Sequence, residues 1–132
     1  MTMWDKVTNR LRKNRPWRVS KGSANHEDRK EATKHTQKGR YEYNVGLYDM
    51  AARHFEAALE VDPRYQRALY FLGNAYYKQH KVKDAVVKWE ACIEVNAQAA
   101  IASKARRRIQ HVRKGNQRVE QQLRELEEDV FS

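Results

Sequence analysis

Residues 72–79 read Leu-Gly-Asn-Ala-Tyr-Tyr-Lys-Gln, and this stretch belongs to the better preserved of two copies of one pattern. The copies are offset by 34 residues, the distance from Gly39 to Gly73. The same offset relates four further pairs: Ala51 and Ala85, Phe55 and Trp89, Ala58 and Cys92, and Asp62-Pro63 and Asn96-Ala97. A recurring pattern of this period is the signature of stacked repeats. The sequence therefore predicts two copies of one helical hairpin.

The matching positions each have a packing reason in a pair of antiparallel helices. Helix axes approach most closely where side chains are small, so Gly73 is expected to lie against Ala85, with Trp89 filling the space one turn further on. Asp62-Pro63 is expected to end the second helix of the first copy, because proline restricts the residue before it and has no N–H to donate. Gly46 is free to adopt a left-handed turn between the two helices.

Together, the period and the residue set resemble the tetratricopeptide repeat, whose signature carries a Leu-Gly pair, a Tyr, an Ala, a large aromatic residue, a small residue and a closing Pro. The resemblance covers about half of the chain. It implies an all-α fold, an α-solenoid of helical hairpins with two clear repeats at residues 32–65 and 66–99. Residues 100–132 are then predicted to be a capping pair of helices, a degenerate third repeat.

The last third of the chain follows the pattern only in part. Val119, Leu123 and Leu126 stand one offset after core positions of the second copy, and they predict a degenerate second helix. Gly115-Asn116 supplies either a stop followed by a cap, or a flexible point in one long helix, and the broken pair is favoured. Each hairpin of an array buries its outer face only against a neighbour, so either these helices or a second chain is expected to cover the end. Self-association is accordingly a prediction.

Length and composition are typical of one small domain. The chain has 132 residues, a formal net charge of +10 and one cysteine, so it cannot form an internal disulfide. Cys92 falls at a small, buried position of the pattern and is interpreted as structural. No segment is apolar enough to cross a bilayer, and residues 1–20 lack the apolar centre of a secretory signal. The expected localisation is cytoplasmic, with peripheral attachment to a membrane surface as an alternative.

Positive charge is concentrated in two segments. Residues 1–31 are interpreted as a basic arm, partly helical or disordered, in which residues 1–22 carry seven basic side chains and one Asp. Residues 101–118 carry seven basic side chains and no acid, whereas residues 120–129 carry five acids and one Arg. The arm is either a solvated tail or a docking segment for an acidic partner, a nucleic acid or an anionic membrane. The candidate polyanion-binding residues are Lys6, Arg10, Arg12, Lys13, Arg15, Arg18, Arg106, Arg107, Arg108, Arg113 and Lys114.

The family resemblance also implies a concave groove, lined by the first helix of each repeat, that binds a partner peptide. Carried over by position, the groove residues are Thr36, Gln37, Arg40, Tyr43, Asn44, Arg67, Tyr70, Phe71, Asn74, Tyr77, Lys78, Lys104, Arg108 and His111. Aromatic faces can cover apolar side chains of a ligand while Arg binds its acids, so the expected ligand is an acidic segment with hydrophobic anchors. The two-carboxylate clamp of one subclass is not expected, because Thr36, Arg40, Phe71, Ile101 and Ala105 stand at its positions.

No constellation typical of catalysis, cofactor binding or metal binding stands out. The five histidines have no metal-ligand spacing with Cys92 or with one another, and there is no Gly-rich phosphate loop. The favoured function is therefore a non-enzymatic adaptor that binds another protein. A nucleic-acid- or ribosome-associated factor is the alternative, and a peripheral membrane scaffold that uses Trp4 and Trp17 is a weaker one.

Overall fold

The computed structural model describes residues 25–131. These residues form five α-helices: α1 His26–Asn44, α2 Tyr48–Val61, α3 Gln66–Lys78, α4 Val82–Val95 and α5 Ala100–Phe131. Helices α1 and α2 pack as one hairpin, α3 and α4 as a second, and α5 packs on α4. The predicted all-α solenoid of helical hairpins is confirmed. None of the helices in this part of the chain combines the length and the apolar character that a membrane span requires.

Helix α1 begins at His26, six residues before the predicted start of the first repeat. Its start is fixed by a capping box, in which the Asn25 side chain accepts a hydrogen bond from the backbone N–H of Asp28 and the Asp28 carboxylate accepts one from the backbone N–H of Asn25. Residues 26–31, assigned to the arm from the sequence, therefore belong to α1. The arm residues 1–24 lie outside the described part of the chain.

The turns within the two hairpins share one unusual backbone conformation. Gly46 has φ of +89°, and His80, which stands 34 residues later, has φ of +64°. Glycine adopts this left-handed region at no steric cost, whereas histidine pays for it. The expectation that His80 takes over the turn position of Gly46 is confirmed. Helix α2 ends at Val61, directly before Asp62-Pro63, as predicted.

Each hairpin is closed by a glycine that faces a large aromatic ring. A Cβ at Gly39 would come within 2.6 Å of the Phe55 ring, and a Cβ at Gly73 would come within 2.5 Å of Cδ1 of Trp89. The predicted partner of Gly73, Ala85, is also fully buried, but the nearest atoms to Gly73 belong to the Trp89 indole. The contact assigned to Ala85 is thus corrected, because the flat ring enters the gap that the missing side chain leaves.

The small position at the end of this face is Ala58 in the first repeat and Cys92 in the second, and both are buried. Burial raises the pKa of the Cys92 thiol to about 12, although a hydrogen bond with Gln66 works in the opposite direction. The thiol therefore remains protonated at neutral pH, where it packs as a small apolar group. Its predicted buried position is confirmed.

The C-terminal segment is one helix of 32 residues, not the predicted pair. Gly115 lies in its interior and does not take the left-handed conformation that a helix end at glycine adopts. One interior glycine costs about 1 kcal/mol relative to alanine. A break would instead leave the backbone groups of two new helix ends to be satisfied. In the first half of α5, Ala102, Ala105, Ile109 and Val112 are buried against the second hairpin.

Candidate peptide-binding surface

Three helices meet along one side of the array. Tyr43 on α1, Tyr70 on α3 and Arg108 on α5 lie close enough to interact electrostatically. Burial raises the pKa of the Tyr43 hydroxyl, and the nearby Arg108 guanidinium offsets part of that rise. We call the side formed by α1, α3 and residues 100–114 of α5 the first-helix surface. It brings together the helices on which the sequence placed the groove.

Aromatic rings cover much of the first-helix surface. The ring of Phe71 lies 5.3 Å from that of Tyr70, and the guanidinium of Arg40 lies 4.8 Å above the Phe71 ring centroid. Tyr43 packs edge-on against Tyr48 at a centroid distance of 5.3 Å. Tyr43, Phe71 and Tyr77 are half-buried, so each ring is held by its neighbours and still presents part of its face to solvent. Such rings can cover apolar side chains of a ligand at low entropic cost.

Three predicted groove residues are buried and do not line an open surface. Tyr70 is 7% exposed and belongs to the core shared by α3, α4 and α5, and Asn74 is 6% exposed. The Asn74 carboxamide oxygen accepts a hydrogen bond of 3.2 Å from the Trp89 indole N–H. Buried Thr36 donates a hydrogen bond of 2.8 Å to the carbonyl oxygen of Ala32. The assignment of these three residues as ligand contacts is corrected, because the neighbouring helices cover them.

The remaining groove candidates are exposed polar and basic side chains. They are Gln37, Arg40 and Asn44 on α1, Arg67 and Lys78 on α3, and Lys104, Arg108 and His111 on α5. Helix α3 contains no acidic residue, and neither does the segment 100–118 of α5. Two of the three helices that form the first-helix surface therefore contribute only neutral and positive side chains to it.

The arginine cluster at residues 106–108 is divided among three faces of α5. Arg108 lies on the first-helix surface near Tyr43. Arg106 points towards the end of α4 and donates a hydrogen bond of 2.6 Å to the carbonyl oxygen of Ala97. Arg107 is exposed on a third face, which it shares with Lys114 because seven residues make nearly two helical turns. Consecutive arginines thus do not act as one patch.

A cavity of about 280 Å³ separates α4 from α5. Its floor includes Ile93 and Ile109, and Arg106 and Arg113 stand at its sides. The guanidinium of Arg113 lies 3.9 Å from the Glu90 carboxylate, which places an ion pair across the cavity. Arg106 and Arg113 therefore have partners within the chain. Of the polyanion-binding candidates, Arg107, Arg108 and Lys114 remain exposed on α5, and the six in the arm lie outside the described residues.

A polar cluster between the two hairpins was not found from the sequence. The Tyr76 hydroxyl donates a hydrogen bond of 2.5 Å to the Glu56 carboxylate, and burial followed by this bond raises the pKa of Tyr76. Lys88 lies close to Glu56 and Asp84, and burial lowers its pKa. Tyr76 was expected in the core, but it is half-buried and joins α3 to α2. No local pattern marks the pair, since Glu56 and Tyr76 are 20 residues apart.

The histidines near the first hairpin have structural partners. The Nδ1 atom of His54 lies 2.8 Å from a carboxylate oxygen of Glu42, which joins α2 to α1. The His35 ring lies 6.0 Å from the His54 ring. Within residues 25–131, no group of three or more His, Cys, Asp or Glu side chains is arranged to hold a metal ion. His54 therefore serves to join the two helices of the hairpin.

Comparison with known families agrees with this geometry. A family model described as Tetratricopeptide repeat matches residues 36–101, which is half of the 132-residue chain. The chain therefore belongs to the tetratricopeptide repeat family, as the sequence predicted. Repeats of this family generally mediate protein–protein interactions, and its members are typically non-enzymatic adaptors. A search of curated proteins found no match to the sequence.

Proposed function

We propose that this protein is an adaptor whose first-helix surface binds an acidic peptide segment with hydrophobic anchors. The observation that carries the proposal is the composition of that surface. Half-buried aromatic rings at Tyr43, Phe71 and Tyr77 stand among exposed basic side chains, and neither α3 nor residues 100–118 of α5 carry an acid. An apolar anchor fits a ring face that packing already holds in place, and acidic residues on either side of the anchor fit the cations.

Lys104 and Arg108 are the cations on which the proposal depends most. They stand four residues apart, on one face of α5, and Arg108 reaches Tyr43 across the surface. A carboxylate bound there would meet a charge that is already beside an aromatic ring. Arg guanidinium pairs with carboxylates through two parallel hydrogen bonds, so Arg108 can fix the direction of the peptide.

The proposal is tested by selection from a random peptide library, followed by affinity measurements on the selected peptides. We expect enrichment of Asp and Glu around Leu or Phe. The double variant Lys104→Glu/Arg108→Glu should weaken binding of the selected peptides by about tenfold or more, since it places like charges against the ligand acids. The control is Arg107→Glu/Lys114→Glu, which makes the same change in net charge on a different face of the same helix.

Two outcomes of this selection would contradict the proposal. Selected peptides without acidic enrichment would remove the role of the cations. Equal weakening by both double variants would show that only the net charge of the protein matters. Circular dichroism on both variants checks that α5 is retained, because all four substituted residues are exposed on that helix.

A second candidate function is binding to a nucleic acid through the basic half of α5 and the arm. It is favoured by one observation, the seven basic side chains without an acid in residues 101–118. A polyanion bound there would contact Arg107 and Lys114 as well as Arg108, so both double variants would weaken binding alike. Its affinity would also fall linearly with salt on a logarithmic scale. Titration of a labelled oligonucleotide at several salt concentrations separates it from the adaptor.

A further inference from the structure

The second half of α5 carries an apolar stripe that the rest of the described chain leaves open. Val119, Leu123, Leu126 and Val130 are 54%, 56%, 61% and 75% exposed. A helix of 32 residues is about 48 Å long, and only its first half packs on the second hairpin. Four large apolar side chains on one face of an exposed helix mark an interaction surface.

The stripe continues the seam by which the same helix packs within its own chain. Apolar residues along this seam alternate at spacings of three and four, with one Asn among them: Ala102, Ala105, Ile109, Val112, Asn116, Val119, Leu123, Leu126 and Val130. An average spacing of 3.5 residues is the repeat of a coiled coil. The first four residues are buried in the core, whereas the last four are exposed. The second half of α5 is therefore built to pack lengthwise against another helix.

The charges on α5 indicate which helix fits. Residues 101–118 carry seven basic side chains and no acid, and residues 120–129 carry five acids and one Arg. A second copy of α5 in the antiparallel direction would bring the acidic half of each helix towards the basic half of the other. A parallel copy would place like charges side by side. Complementary charge of this kind sets partner and direction in helix pairs.

We propose that two copies of this protein dimerise through the second halves of their α5 helices, packed antiparallel. In the alignment that joins the exposed stripes, Val119 of each copy faces Leu123 of the other, and the two-fold axis passes near residue 121. The same alignment places Glu127 of one copy beside Arg113 of the other at the edge of the seam. The dimer uses none of the residues assigned to peptide binding, so this inference is independent of the proposed function.

Dimerisation is tested by sedimentation equilibrium of the full chain over a wide range of concentration. We expect a reversible monomer–dimer equilibrium, and the double variant Leu123→Ala/Leu126→Ala should raise the dissociation constant at least about tenfold. Alanine keeps the helix propensity high, so a loss of dimer is not a loss of helix. The control is Gln117→Ala/Gln121→Ala on another face of the same segment, which should leave the constant unchanged. A protein that stays monomeric, or equal weakening by both variants, would overturn the proposal.

The direction of the helices is tested by disulfide formation between two single-substitution variants, Val119→Cys and Leu123→Cys. In the antiparallel dimer, a mixture of the two forms a crosslinked dimer, and neither variant alone does so. In a parallel dimer, each variant would crosslink with itself, and that result would overturn the proposed direction. The native Cys92 is buried and does not compete. Added salt should weaken the antiparallel dimer, because it screens attraction between opposite charges.

Discussion

The two repeats share one framework and differ in how much of it is buried. Helix α1 of the first repeat has three buried residues, whereas α3 of the second has seven. The difference follows from position. Within residues 25–131, α3 packs between the first hairpin on one side and α4 and α5 on the other, and α1 packs mainly on α2. In a stacked array, the neighbours of a repeat therefore decide what its side chains contact.

Equivalent positions consequently have different surroundings in the two repeats. Arg40 is exposed and lies over the Phe71 ring, whereas Asn74, 34 residues later, is buried and bonded to Trp89. Thr36 is buried by a bond to its own helix, and Tyr70 by the packing of three helices. The first repeat thus keeps more of its first helix for solvent and ligands, and the second repeat holds the array together.

The largest expected effect comes from removing the aromatic ring of each hairpin. Trp89→Ala and Phe55→Ala should each lower the free energy of unfolding by about 3–5 kcal/mol. Trp89→Ala should cost more, because it also removes the hydrogen bond to Asn74 and contacts in the core that α5 completes. Urea denaturation of both variants checks this. A greater loss for Phe55→Ala would contradict the central role of the second repeat.

A smaller effect is expected from filling the glycine positions. Gly73→Ala and Gly39→Ala each place a methyl group too close to an aromatic ring. We expect losses of about 1–3 kcal/mol for overpacking, reduced by the better helix propensity of alanine. The two losses should be similar, since both glycines face the ring 16 residues later. Gly115→Ala is the control, because a Cβ there meets no atom within 4 Å and the variant should be more stable. Thermal unfolding of the three variants measures the differences, and a loss at Gly115 would contradict a continuous α5.

The smallest effect is expected at the turn residues with positive φ. His80→Gly should stabilise the protein by up to about 1 kcal/mol, because glycine adopts a φ of +64° without strain. Gly46→Ala should destabilise it by about the same amount, for the same reason. If His80→Gly proves destabilising in denaturant unfolding, the His80 side chain contributes more than its backbone strain costs.

Much of the fold could be predicted from the sequence because its determinants are local. Gly46 and His80 sit at the turn, Asp62-Pro63 follows the end of α2, and the ring positions recur at one offset. Each of these effects acts over a few residues or within one hairpin. The prediction of a break at Gly115 was wrong, because a glycine permits a helix end without requiring one, and Ile109 and Val112 on one side are anchored in the core.

The candidate site could be predicted only as a set of helices. The sequence placed the groove on the first helix of each repeat, and the structure brings Tyr43 and Arg108 together there. It could not tell that Thr36, Tyr70 and Asn74 are buried, because their burial depends on other helices. The bond between Glu56 and Tyr76 was missed for the same reason.

The sequence by itself determined the period, the hairpins, the turn positions and the family, since these depend on side-chain size and backbone conformation within about 34 residues. Only the tertiary structure decided which groove residues stay open, how the arginines at residues 106–108 are divided, and that α5 runs on past the core with Val119 and Leu123 exposed. The physical reason is that burial is a property of the whole packed array. A side chain of given chemistry is core, contact or open surface according to which helix lies over it.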